Sequence, residues 1–117
     1  MDCPCCESDL QISGYRCHRC GVSLSGDFEQ PALARLSSEH ARTAELLLLH
    51  AGHLRAVADE LAVSHPTARK RVAEAAAALR ALRASDEDRI DALLRAIEEQ
   101  RIDAEEGARR IREIRNA

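Results

Sequence analysis

Apolar residues recur at helical spacing from residue 31 to the end of the chain, and they show no such spacing before it. Ser37 or Ser38 offers an N-cap for a first helix, which runs to about His50 and contains four consecutive leucines. Four leucines in a row cover more than one face of a helix. A wide apolar stripe is typical of core helices, so we expect core packing, with a second stripe on a partner as the alternative.

Two helices joined by a short turn are predicted between residues 52 and 72. One face of the first helix is apolar and consists of Leu54, Val57, Ala58 and Leu61. Ala62 and Val63 form the turn, Ser64 caps the second helix, and Pro66 stands in the first turn, where its missing N–H costs little. The inward positions of the second helix are Ala68 and Val72. This pattern predicts a helix-turn-helix.

The outer side of the second helix carries polar and basic residues. In a helix-turn-helix, the N-terminal part of this helix enters the major groove of DNA. Arg69 and Lys70 have the chemistry for guanine edges or phosphates. The predicted DNA-contacting residues are Ser64, His65, Thr67, Arg69, Lys70, Arg71 and Arg55. The alternative is a helical hairpin whose charges only face solvent.

A helical hairpin is predicted at the C-terminus. The recognition helix continues to Leu82, Ser85 caps a new helix that ends near Gln100, and Asp103 with Glu106 has the spacing of a capping box for the last helix. The apolar positions of the two helices are Ile90, Leu93, Leu94 and Ile97, then Ala104, Ala108, Ile111 and Ile114. A hairpin of about thirty residues is too small to bury such a stripe alone. It therefore docks on the helix-turn-helix or on a second copy, and we favour a homodimer that presents two recognition helices.

Two cysteine pairs with the same two-residue gap stand near the start of the chain, and they consist of Cys3, Cys6, Cys17 and Cys20. This gap lets both sulfurs of a pair face one Zn²⁺ ion, and four thiolates close the site, which indicates a structural zinc. The alternatives are a disulfide or cysteines that simply pack, but the count of five is odd and no apolar signal peptide precedes them. Cys5 is then a spare thiol. The segment is too small for a core, so the zinc supplies most of its folding energy.

Composition and charge favour several small modules over one large domain. With one Phe, one Tyr and no Trp among 117 residues, the core must consist of Leu, Ile, Val and Ala, which suits close-packed helices. The net charge of −3 hides a basic stretch, since residues 50–84 hold six basic and three acidic side chains. We predict a mainly α protein with a zinc ribbon at 1–27, a helix-turn-helix domain at 31–84 and a helical hairpin at 85–117.

Several function classes are disfavoured. The chain contains no apolar run of about 18 residues and no targeting segment, so we expect a cytoplasmic protein without a membrane partner. The histidines His40, His50, His53 and His65 are scattered, and no nucleophile or carboxylate stands in a catalytic spacing with them. We therefore predict neither an enzyme nor a small-molecule substrate.

The order of these motifs resembles a bacterial family of small uncharacterised zinc-ribbon, helix-turn-helix proteins. The resemblance runs through Cys-Pro-x-Cys and Cys-x-x-Cys-Gly, the linker Gly26–Glu29, and the segment from Gly52 to Val72, and it covers most of residues 1–84. The tail resembles short C-terminal hairpins that are often taken as oligomerisation modules. The chain departs from the family pattern at Cys5, at His65 and at Ala62, where glycine is usual.

The resemblance implies a transcriptional regulator that binds double-stranded DNA, with the four paired cysteines as metal ligands and residues 64–72 as the reading helix. The alternative is a protein-interaction module, in which the ribbon and the leucine-rich helix bind RNA polymerase, a sigma factor or another regulator.

Overall fold

The computed structural model describes residues 2–117, in which a small antiparallel hairpin precedes a mainly helical chain. Within that range the elements are β1 (Ile12–Arg16), β2 (Ser23–Phe28), a 3-10 turn (Ala32–Arg35), α1 (Ser38–Leu49), α2 (Leu54–Leu61), α3 (His65–Glu98) and α4 (Ala104–Asn116). The predicted fold class is confirmed. The chain divides into two compact units, one with the residues up to Pro31 and from Ile90 onward, the other with Ala32–Arg89.

The N-terminal hairpin is held by backbone pairing. β1 and β2 run antiparallel, with Tyr15 opposite Leu24 and Ile12 opposite Phe28, and an irregularity in register after Ile12. The rings of Tyr15 and Phe28 meet edge to face, with centroids 4.9 Å apart. None of residues 2–31 is buried. An apolar core therefore does not stabilise this segment.

Helix α1 begins where the sequence predicts and faces the core with only part of its leucine run. The Ser37 side chain accepts a hydrogen bond from the His40 N–H at 3.3 Å, which makes Ser37 the N-cap. Leu46 is buried, but Leu48 and Leu49 are 72% and 71% exposed. The expected core packing is therefore wrong for these two leucines, because consecutive residues on a helix are about 100° apart and cannot all face one side.

Helix α3 is a single helix of 34 residues, so the new helix predicted to start at Ser85 is wrong. The sequence holds no glycine or proline between Pro66 and Gly107, and an exposed serine costs a helix only a few tenths of a kcal/mol. Asp86 is also tied down, because Arg35 of the 3-10 turn donates to its carboxylate at 2.5 Å. The boundary between residues 84 and 85 falls inside α3, and the division into three modules stays a prediction.

The start of α4 is confirmed, but its capping box is wrong. Asp103 is the N-cap residue by its backbone, yet its side chain makes no capping hydrogen bond. Glu106, predicted to complete the box, instead accepts hydrogen bonds from Arg109 and Arg110. Two guanidinium groups one turn ahead of the carboxylate attract it away from the backbone N–H.

The C-terminal hairpin buries a cluster of three isoleucines, with two further apolar side chains packed against it: Ile90, Ile111 and Ile114, then Leu93 and Ile97. Of the predicted stripe, Leu94, Ala104 and Ala108 are exposed. Gly107 is buried in their place, and a Cβ on it would stand 2.6 Å from Ile97 Cγ1. The missing side chain lets α4 approach α3 closely at this point, and docking of the exposed part of the stripe on a second copy stays a prediction.

Candidate metal and nucleic-acid-binding sites

The first cysteine pair lies in a tight backbone turn. The N–H of Cys3 donates to the Ser8 carbonyl at 2.8 Å, and the N–H of Glu7 donates to the Cys3 carbonyl at 2.9 Å. The turn contains Cys6, three residues after Cys3. Glu7 takes a positive φ of 59°.

The second cysteine pair repeats this turn bond for bond. The N–H of Cys17 donates to the Val22 carbonyl at 2.8 Å, and the N–H of Gly21 donates to the Cys17 carbonyl at 2.9 Å. Gly21 takes a positive φ of 77°, at the position that Glu7 occupies in the first turn. Each turn is also closed by a strand-like pairing at the same spacing, Asp2 with Asp9 and Arg16 with Ser23.

This repeat bears on which cysteines belong together. In both turns the backbone carbonyl of the first cysteine accepts the N–H hydrogen bond that closes the turn, and the second cysteine follows three residues later. Cys3 corresponds to Cys17 and Cys6 to Cys20, while Cys5 corresponds to Arg19 and is exposed. The backbone therefore favours Cys3 and Cys6 as the paired thiols and leaves Cys5 outside the pattern.

In each turn, hydrogen bonds lower the pKa of one cysteine. Hydrogen bonds from the Ser8 hydroxyl, the Ser8 backbone and the Cys3 thiol lower the pKa of Cys6. Hydrogen bonds from the backbone N–H groups of Cys20 and Arg19, and then from the Cys20 thiol, lower the pKa of Cys17. A thiolate is the form of cysteine that binds metal ions.

The donor set fits zinc in its chemistry. It consists of two equivalent pairs of sulfurs, each on a turn that supplies N–H groups to sulfur, which is what a tetrahedral thiolate site requires. Within residues 2–117 no group of three or more His, Cys, Asp or Glu side chains is arranged to hold a metal ion. The structure thus brings the cysteines together as pairs, and the joining of the pairs around one ion remains a prediction.

Helices α2 and α3 are joined by three residues in a tight connection. Ala62 adopts the left-handed conformation, with φ 54°, and the Val63 N–H donates to the Ala58 carbonyl at 3.0 Å. This bond satisfies a carbonyl at the end of α2. Val57, Ala58 and Ala68 are buried, as the sequence predicts.

The start of α3 is capped as predicted. The Ser64 Oγ accepts the Thr67 N–H at 3.3 Å and lies 2.8 Å from the Thr67 hydroxyl. Both hydroxyls thus bond to each other, and Thr67 is half-buried. These two candidate DNA contacts serve the helix cap in this structure.

The remaining candidate DNA contacts lie at the surface. His65, Arg69, Lys70 and Arg55 are exposed, and Arg71 is half-buried. The Lys70 Nζ lies 3.9 Å from the Glu74 Oε1, one turn along the same helix. Within residues 2–117, Arg55, Arg69 and Arg71 form no ion pair with an acidic side chain. Of these, Arg55 and Arg69 are exposed and available to an external anion.

Sequence reasoning missed two features of these sites. One is Glu7, whose positive φ could have been found by aligning the two cysteine turns, since Glu7 aligns with Gly21. The other is Arg42 of α1, which lines a surface depression together with Arg71. No signal in the sequence pairs these two arginines, because they are 29 positions apart.

Comparison with known proteins supports the ribbon. Residues 3–34 match the family model of the DUF2089 zinc ribbon. The N-terminal segment is therefore a zinc ribbon, as predicted, and the match extends past the predicted boundary at residue 27. No curated protein and no solved structure matches the chain. Within residues 2–117, every helix lacks the combination of length and apolar content that crossing a membrane requires.

Proposed function

We propose that this chain is a cytoplasmic DNA-binding transcriptional regulator that reads the major groove through the start of α3. The observation that carries the proposal is the division of α3 into two faces. Ala68 and Ala75 are buried, while Arg69 and Lys70 are exposed between them. A short helix, a tight connection and a capped second helix with exposed cations in its first turns match the geometry of a helix-turn-helix.

The zinc ion that we propose is structural and is held by Cys3, Cys6, Cys17 and Cys20. Four thiolates around one ion leave no open coordination position, so the ion supplies folding energy and no reactive water. The absence of buried side chains in residues 2–31 supports this role. The two turns bring the ligands as preformed pairs and lower the pKa of Cys6 and Cys17, which reduces the proton cost of metal binding.

The exposed residues divide by the kind of DNA contact that they suit. Arg69 and Lys70, with His65 near the helix start, are placed to reach base edges or adjacent phosphates. Arg55 at the start of α2 suits a phosphate, which adds affinity without sequence information. Arg71 is half-buried and follows the buried Ala68 by three residues, so it lies closer to the core side of α3 than Arg69 and Lys70. Ser64 and Thr67 position the helix through their cap.

The test is the sequencing of genomic fragments that the purified, zinc-loaded protein retains at near-physiological salt. The test variant is Arg69→Ala with Lys70→Ala. The matched control is Arg112→Ala with Arg115→Ala, which removes the same charge from exposed positions of α4. We expect one enriched motif that the test variant loses and the control keeps, and an inverted repeat would indicate a homodimer. Equal retention by all three proteins would contradict sequence reading.

A second candidate function is a protein-interaction module that binds RNA polymerase, a sigma factor or another regulator. The observation that favours it is the exposure of Leu48 and Leu49 at the end of α1, which together present apolar surface that a partner protein could cover. Leu48→Gln with Leu49→Gln should abolish capture of purified RNA polymerase under this function. The same variant should leave DNA retention unchanged under the first.

A further inference from the structure

Helix α1 carries an apolar patch on the side that faces away from its core. Leu48 and Leu49 are 72% and 71% exposed, while Leu46 is buried. Leu48 follows Leu46 by two residues, which is a rotation of about 200° around the helix axis, so these two side chains point in nearly opposite directions. The patch lies at the C-terminal end of α1 and is large enough for a protein contact.

The same side of α1 carries one charge of each sign. Glu45 follows the fully buried Thr43 by two residues, again a rotation of about 200°, and both Glu45 and Arg42 are exposed. Within residues 2–117 neither of these two charged side chains forms an ion pair, although they stand three residues apart on one helix. Both are therefore available to a partner.

These residues form two rows along the outward face of α1. Ala41 and Leu48 are seven residues apart, and so are Arg42 and Leu49, which aligns the members of each row to within about 20°. Glu45 lies between the two rows. The leucines occupy the C-terminal half of the face, and the small residue Ala41 occupies the N-terminal half.

A face with this arrangement is complementary to itself when two copies of α1 run antiparallel. With a two-fold axis near residues 44–45, Leu48 of each copy packs on Ala41 of the other, so that a large side chain meets a small one. The same axis places Arg42 of each copy beside Glu45 and Leu49 of the other. Every contact then occurs twice, as in any two-fold symmetric interface.

We propose that this face of α1 binds the same face of a second copy and forms an antiparallel homodimer. Helix α1 has 12 residues and is about 18 Å long, so the contact is smaller than a standard interface and the dimer is weak. The inference goes beyond the proposed function and does not depend on it, because the contact requires no DNA. It places the dimer interface on α1 instead of the C-terminal hairpin.

The experiment is sedimentation equilibrium of the zinc-loaded full chain without DNA, from about 1 µM to about 1 mM, which covers weak association. Arg42→Glu and Glu45→Arg should each weaken the homodimer roughly 10-fold, because either reversal brings four like charges together at the two-fold axis. An equimolar mixture of the two variants should dimerise again, since each Arg–Glu contact re-forms between unlike copies. Arg112→Glu on α4 is the charge control and should dimerise like the wild type.

Three results would overturn the inference. The first is a wild type that stays monomeric over the whole range. The second is a wild-type dimer that neither reversal weakens more than the control does, which would place the interface elsewhere, for example on the C-terminal hairpin. The third is a mixture of the two variants that stays as monomeric as each variant alone.

The controls keep folding and DNA binding apart from this inference. Arg42 and Glu45 are exposed, so thermal unfolding of both variants should match the wild type and exclude misfolding. The measurement contains no DNA, so its failure leaves the proposed function standing, and a failed search for a DNA motif leaves the homodimer standing. A monomer whose exposed leucines capture RNA polymerase would overturn the homodimer and support the second candidate function.

Discussion

The zinc ribbon and the helical unit are stabilised in different ways. Residues 2–31 contain no buried side chain, and Tyr15, Val22 and Leu24 are about half exposed. The unit Ala32–Arg89 buries apolar side chains from each of its helices, among them Leu46, Val57 and Ala68. The ribbon therefore depends on the proposed metal, and the helices depend on the hydrophobic effect. The same substitution should thus have different effects in the two regions.

Metal removal should give the largest effect and should act on the ribbon alone. A structural zinc contributes on the order of 10 kcal/mol to a small domain. A chelator, or Cys17→Ser, should therefore unfold the strands and leave the helical signal in far-UV circular dichroism nearly intact. Cys5→Ser is the control and should keep one zinc per chain. A loss of zinc in Cys5→Ser would show that the paired turns misidentify the ligands.

The next largest effect is expected from replacing a valine in the helical unit, and a valine in the ribbon serves as its control. Val57 is fully buried in the helical unit, and Val22 is 53% exposed in the ribbon. Val57→Ala should lower the free energy of unfolding by about 2 kcal/mol, because it leaves a cavity. Val22→Ala should change it by less than about 0.5 kcal/mol. Urea denaturation of the zinc-loaded protein measures both, and equal effects would mean that the ribbon also has an apolar core.

Gly107→Ala sets helix propensity against packing. In an exposed helix this change would stabilise by about 1 kcal/mol. A Cβ here would stand 2.6 Å from Ile97 Cγ1, so overpacking should outweigh the propensity and destabilise by about 1 kcal/mol net. The exposed neighbour Ala108 provides the control, since Ala108→Gly should lose stability through propensity alone. A rise in melting temperature for Gly107→Ala would show that α4 does not pack closely against Ile97.

A smaller effect, on zinc affinity, is expected from the residue with positive φ at the fifth position of each cysteine turn. Glu7 has φ 59°, which costs a residue with a Cβ about 1 kcal/mol, while Gly21 has φ 77° at the same position. Glu7→Gly should tighten zinc binding by roughly 2- to 5-fold, which corresponds to about 0.5–1 kcal/mol. Gly21→Ala should weaken it similarly, because a Cβ there meets no neighbour and only the backbone is strained. Competition with a chromogenic chelator measures both, and a weaker site in Glu7→Gly would contradict the repeat.

The smallest expected effect is the pH dependence of the α4 surface. Hydrogen bonds from Arg109 and then Arg110 lower the pKa of Glu106 from 4.5 to about 2. A carboxyl whose pKa is lower in the folded state stabilises the fold above its unfolded pKa and loses that contribution as the pH falls from about 4.5 to about 2. Glu106→Gln should flatten this part of the urea midpoint against pH. Solvent screens the exposed pair, so an effect as large as that of Val57→Ala would be unexpected.

The sequence alone determined the local features of this protein. Capping residues predict where helices begin, at Ser38, at Ala104 and after Ser64. The period of apolar residues predicts the buried positions Val57, Ala58 and Ala68. Both signals act over only one or two helical turns. The cysteine spacing likewise indicated the ribbon, because a two-residue gap is a local constraint.

Tertiary structure decided the features that depend on distant residues. Ser85 could begin a new helix or lie inside a longer one; in the structure α3 runs through it, and the neighbouring Asp86 pairs with Arg35, which is distant in the sequence. Which face of α4 is buried depends on Ile97, which leaves room for Gly107 and none for a larger residue. The depression at Arg42 and Arg71 exists only once α1 and α3 are assembled. Local propensities are too small, at a few tenths of a kcal/mol per residue, to decide such choices against ion pairs and packing.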